Sequence, residues 1–91
     1  MKFTIMPFND HAIYISFGNG IQEKYLYLSK AIIDDLTREP PIGYIETIPG
    51  YNNITIFYDP IEIATQYHTT NMQQYFTKMI EQRIKKIDYA E

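Results

Sequence analysis

Few residues in this 91-residue chain could do chemistry, and they are scattered along it. The two histidines, His11 and His68, stand far apart with no neighbouring donors, whereas a metal centre needs three or four converging ligands. Cysteine is absent, which removes disulfides, thiolate nucleophiles and every cysteine-containing zinc site. Ser16 and Ser29, the two serines, lie outside any Gly-x-Ser-x-Gly elbow and near no suitable base. Gly18-Asn19-Gly20 precedes a helical pattern, where backbone N–H groups can hold phosphate, but the rest of either phosphate-loop pattern is missing, so a strand-to-helix turn is expected. Asp34 and Asp35 are adjacent on a helix and diverge by about 100°, so they form no catalytic carboxylate pair and are expected to be solvated. Met72 and Met79 fall on an apolar stripe and read as core filling. No catalytic, cofactor-binding or metal-ligating residue is predicted.

The elements that would position these residues follow from changes of period. Lys2 to Met6 is a short β-prone run ended by Pro7, and His11 to Phe17 is a second, with Phe8-Asn9-Asp10 as the turn. In the second run Ile13, Ile15 and Phe17 alternate with Ala12, Tyr14 and Ser16, the pattern of a half-buried strand. From Ile21 the spacing shifts to threes and fours. Ile21, Tyr25, Leu28, Ile32 and Leu36 line one face of a helix that Pro40-Pro41 ends. Tyr44 to Ile48 and Asn53 to Tyr58 are two more strands around the Pro49 to Asn52 turn.

Asp59-Pro60-Ile61-Glu62 carries helix-start signals, with an Asp cap, Pro at the first position and an acid at the third. A second start follows at Thr70, with Gln73 three residues on, and Met72, Phe76, Met79, Ile80, Ile84 and Ile87 form a stripe behind it. The expectation is a short turn after Pro60 and one long helix from about Thr70 to Ile87. The order β-β-α-β-β-α makes a two-layer α+β domain, one antiparallel sheet with two helices on one face.

Composition limits function further. A chain of 91 residues forms one domain with one modest core, and an aromatic content of 15%, including nine Tyr and five Phe, is too rich for disorder. Net charge is −3, and no Lys or Arg occurs between Arg38 and Lys78, so the central hairpin offers nucleic acid no basic stripe. Lys78, Arg83, Lys85 and Lys86 complement the dipole at a helix C-terminus. No apolar run approaches the roughly 18–20 residues that span a bilayer, and MKFTIMPFND lacks a signal-peptide centre, so a cytoplasmic protein with neither nucleic-acid nor membrane partners is expected. If Ile13, Ile15, Phe17, Ile54, Ile56 and Tyr58 face the helices, then Tyr14, Ser16, Thr55 and Phe57 face outward and form a candidate docking surface for a second copy or another chain.

Two segments resemble the KipI/PxpB family, also called allophanate hydrolase subunit 1-like. Phe8 to Gly18, FNDHAIYISFG, is similar to that family's opening Gly-Asp-x-Ala-x-x-x-x-Phe-Gly, matching at Asp10, Ala12, Phe17 and Gly18. Gly43 to Tyr51, GYIETIPGY, followed by Ile54 to Pro60, ITIFYDP, resembles its second block, with Gly43, Pro49, Tyr51, Tyr58, Asp59 and Pro60 at the motif positions. Asn9 stands where the family usually has Gly, and Asn53 where Ser is common.

The resemblance implies a DCoH-like fold in which these positions are structural, and the N-terminal domain of a longer protein whose cyclophilin-like C-terminal domain is not in this chain. It implies a non-catalytic assembly domain of a PxpB-like subunit of bacterial 5-oxoprolinase. Such a subunit works with KipA/PxpC-like and PxpA-like partners to open 5-oxoproline to glutamate at the expense of ATP used by the parent complex. The alternative it implies is an inhibitor of sensor histidine kinase autophosphorylation, and a third reading is a stand-alone homodimeric binding module.

Overall fold

The computed structural model describes residues 3–20 and 22–89, so the readings that rest on Lys2 and Ile21 lie outside the described residues. Strands β1 (Thr4–Asn9) and β2 (Ala12–Ser16) precede helix α1 (Glu23–Arg38). Strands β3 (Tyr44–Pro49) and β4 (Asn53–Tyr58) then lead to helices α2 (Pro60–Tyr67) and α3 (Met72–Tyr89). The four strands form one antiparallel sheet in the order β1-β2-β4-β3, two hairpins joined through their second strands.

Alternation in the two central strands decides which face is covered. Ile13 pairs with Ile56 and Ile15 with Ile54, and all four are fully buried. Against them pack Leu28, Ile32 and Leu36 of α1, Ile63 of α2, and Phe76, Ile80 and Ile84 of α3, in one contiguous core. Each such side chain contributes roughly 1.5–3 kcal/mol when taken fully out of water. Two aromatic stacks extend this core, Tyr58 on Phe76 at 4.7 Å and Phe17 on Tyr25 at 6.1 Å between ring centroids. Among the described residues the helices therefore cover one face of the sheet, and no second layer lies on the other.

Three expectations are corrected. The first strand does not stop at Pro7 but runs on to Asn9, because β1 is an outer strand and a missing N–H is tolerated there; the turn is Asp10-His11. The segment after Pro60 is a helix of two turns, so the helical layer has three helices where two were expected. Asp59 caps α2 through Oδ1, which accepts from the N–H groups of Ile61 at 2.9 Å and Glu62 at 3.4 Å, and His68 ends it at φ 53°. Finally, α3 starts at Met72, with Thr69 Oγ1 accepting the Asn71 N–H at 3.0 Å, so Thr70 is not the cap.

Asp35 also departs from its expected solvation. It is half-buried and its carboxylate joins two helices, accepting from Arg83 of α3 at 2.8 Å while Arg38 of α1 lies 3.3 Å away. Lys85 lies 3.5 Å from Glu81 one turn earlier, so part of the basic cluster on α3 is paired within the helical layer. Every Lys and Arg among the described residues stands on α1 or α3, and the four strands carry none.

Candidate interaction surface and groove

The uncovered sheet face is built by strand register. Met6, Tyr14, Thr55 and Ile48 stand side by side across β1, β2, β4 and β3. A neighbouring row holds Thr4, Ser16 and Asn53, and on the other side Ala12 pairs with Phe57, which in turn faces Glu46. Of the four residues expected to face outward, Tyr14 and Thr55 are direct cross-strand partners, while Ser16 and Phe57 flank them in adjacent rows; all four are half-buried. Their partly solvated apolar surface is joined by Met6 and Ile48, about half exposed at 45% and 51%. The expected docking set omits these two, although Met6 and Ile48 alternate with inward Ile5 and Thr47 and become legible once the strand order is known. Both outer strands contain a proline and a register shift, Pro7 in β1 and Pro49 in β3, which disfavours pairing of another strand along either edge. The sheet therefore offers its face rather than its edges.

The motif positions fall into structural and surface classes. Ala12, Phe17 and Tyr58 are buried, with the Phe17 N–H bonded to the Asn52 carbonyl at 2.8 Å and the Tyr58 N–H to that of His11 at 2.9 Å. Gly43 has φ +86°, and a Cβ there would lie 2.6 Å from Ile63 Cγ1 and 3.2 Å from the Asp59 carbonyl, so the β3 approach to α2 has no room for a side chain. Gly18, at φ +148°, backs onto the Tyr25 hydroxyl. Pro49 and Tyr51 sit exposed at the end of the β3–β4 hairpin, Tyr51 at 71%. Asp59 and Pro60 form the α2 cap and first turn. Asn9, at a position where its family resemblance departs, accepts the His11 N–H through Oδ1 at 2.9 Å and shapes the β1–β2 turn.

A groove of about 1160 Å³ opens between that turn, the end of β4 and the first turns of α3. Phe8, Asp10, Tyr58, Asn71, Thr77 and Lys78 are among its lining residues. Tyr58 is 1% exposed and its hydroxyl has no hydrogen-bond partner; Thr77 Oγ1 also lacks one. Burial first, and then the charge of Asp10, pushes the Tyr58 phenol above the usual tyrosine range, so it stays protonated at neutral pH. His11 and His68 are exposed, and among the described residues no three His, Asp or Glu side chains are grouped as metal ligands. Among the same residues, no helix is long and apolar enough to cross a membrane.

Residues 3–89 match the family described as carboxyltransferase domain, subdomain C and D. The B component of the 5-oxoprolinase of Bacillus subtilis (strain 168) is 32% identical over 63 residues, which are 69% of this chain and 26% of that protein. The chain thus spans about a quarter of the length of this curated relative. Among solved structures, the N-terminal domain of the histidine kinase inhibitor KipI from Bacillus subtilis superposes with a TM-score of 0.77 at 27% identity, covering 97% of this chain and 91% of that one. A conserved uncharacterized protein from Pyrococcus horikoshii shares the fold, with a TM-score of 0.69 at 24% identity over 93% of this chain and 38% of its own.

Proposed function

Because the chain belongs to the KipI/PxpB family and corresponds to its N-terminal domain, we propose that it is a non-catalytic protein-interaction domain that acts in inhibition of a sensor histidine kinase. The observation that carries this reading is the near end-to-end likeness to the N-terminal domain of a histidine kinase inhibitor, 97% of one chain against 91% of the other. In this reading the partner docks on the single-layered sheet, at the row Met6, Tyr14, Thr55 and Ile48 flanked by Phe57. The assembly-domain reading, in which the parent is a PxpB-like component of 5-oxoprolinase with PxpA-like and PxpC-like partners, rests on the 32% identity to that enzyme's B component, over a shorter stretch. The fuller match to the inhibitor domain, 97% of this chain against 69%, is what favours this reading over the assembly one.

The test is autophosphorylation of a purified sensor histidine kinase with labelled ATP as the chain is titrated in. The expected result is a dose-dependent loss of phosphohistidine. Phe57→Ser is expected to raise the half-inhibitory concentration by about tenfold or more, the size of effect typical of a central aromatic contact. A kinase unaffected at every concentration, with the chain co-eluting instead with a carboxylase-type partner, would reject the inhibitor in favour of the metabolic assembly.

A further inference from the structure

We propose that the groove between the β1–β2 turn and the start of α3 binds a free α-amino acid, with its carboxylate on the hydroxyls of Tyr58 and Thr77 and the ammonium of Lys78, and its own ammonium on the carboxylate of Asp10. The inference goes beyond the kinase reading and does not depend on it, since Tyr58 and α3 belong to the helix-covered side of the sheet, away from the face that carries Phe57.

Two observations support it independently. The first is hydrogen bonding. Among the described residues only three buried side-chain polar atoms lack a partner, on Ser29, Tyr58 and Thr77, and two of the three belong to residues lining this one groove. A buried hydroxyl without a partner is an uncommon feature of a folded protein, and two on residues that line one concavity mark a place where an acceptor oxygen would be held. Tyr58 cannot swing away to find a partner of its own, because its ring is stacked on Phe76 and its backbone is fixed to His11. As a protonated phenol it can donate to a carboxylate, and so can the Thr77 hydroxyl.

The second observation is the distribution of charge. On the helix side of the groove stand Lys78 and the opening turn of α3, where Met72, Gln73 and Gln74 bring free N–H groups and the positive end of the helix dipole. On the hairpin side stands Asp10. Glu81 also lines the groove, but its carboxylate lies 3.5 Å from the Lys85 ammonium. A ligand with one negative and one positive end is matched on both walls, whereas a simple anion meets Asp10 and a simple cation meets Lys78. Both hydroxyls are shielded from solvent in the unliganded chain, so binding requires side chains of the groove wall to change rotamer, as long ones such as Gln73, Gln74 and Lys78 readily do.

The experiment is a titration of the ¹⁵N-labelled full chain, followed by amide shifts, with each of the twenty standard amino acids in turn and with propionate and ethylamine as probes that carry one charge each. The expected result is that at least one amino acid shifts the amides of Asp10, His11 and residues 71–78, while neither single-charge probe does. Tyr58→Phe, which keeps the ring stack, should weaken that binding at least tenfold without lowering the melting temperature. Thr77→Val and Asp10→Asn should each weaken it as well, and serve as the test if Tyr58→Phe proves unstable. Phe57→Ser should leave it unchanged. The proposal is overturned if no amino acid moves these amides, if propionate binds as tightly as the best amino acid, or if the hydroxyl variants bind like the parent chain.

Discussion

Tyr58 carries two demands that pull against each other. Its ring is part of the core, stacked on Phe76, while its hydroxyl is held out of water without a partner. Removing only the hydroxyl should therefore help the fold: Tyr58→Phe is expected to leave the free energy of unfolding unchanged or to raise it by about 1 kcal/mol, as measured by urea denaturation at pH 7. Alkali should reveal the same group. Folding holds this phenol above its ordinary value of 10.0, so below that pH both folded and unfolded chains keep the proton and the contribution is intact. Above it the unfolded chain ionises first, and stability declines as pH rises until the folded phenol also gives up its proton. Denaturation midpoints followed from pH 8 to above about 10 should fall more steeply for the parent chain than for Tyr58→Phe, and parallel slopes would refute the assignment.

At the scale of elements, α2 is the part least legible in the sequence. Its start signals are present in Asp59, Pro60 and Glu62, and the structure uses them as a cap and first turn. What the sequence lacks is an amphipathic stripe: α2 buries Ile63 alone, and one apolar position has no period. Two turns would be marginal in isolation, so this helix is held by its cap, by that buried anchor and by Tyr67, whose ring stacks on Tyr75 of α3 at 5.2 Å. Ile63→Ala should accordingly cost about 2–5 kcal/mol, read from the urea midpoint, and should be accompanied by faster amide exchange across residues 60–67. A loss below about 1 kcal/mol would show that the helix is held by something else. By contrast β2, β4, α1 and the body of α3 are legible because each presents several apolar residues at a clean period. The Asp35–Arg83 tie between helices is not, since residues 48 apart in sequence meet only through the packing of two elements. The groove is hidden for the same reason: Asp10, Tyr58 and Thr77 come from a turn, a strand and a helix, and nothing in their local sequence foretells the meeting.

For the whole molecule, the four-stranded sheet with helices on one side creates two unlike surfaces, one of mixed apolar and polar residues without Lys or Arg on its strands, the other bearing the seven described cations of α1 and α3. The cations of the second surface govern how the first can be presented to a partner. Reagents that attack primary amines reach Lys24, Lys30, Lys78, Lys85 and Lys86, which among the described residues stand on α1 and α3 and on no strand, and they also reach Lys2 and the terminal amine. Extensive acetylation should therefore leave binding through the sheet intact while changing the net charge, whereas amino-acid binding beside Lys78 should be lost. A chain tethered to a sensor chip through these lysines would sit with its helices toward the matrix and its strands toward the solution. With Lys2→Arg and the terminal amine blocked, the protein thus carries its own orientation for immobilised binding assays, with no added tag.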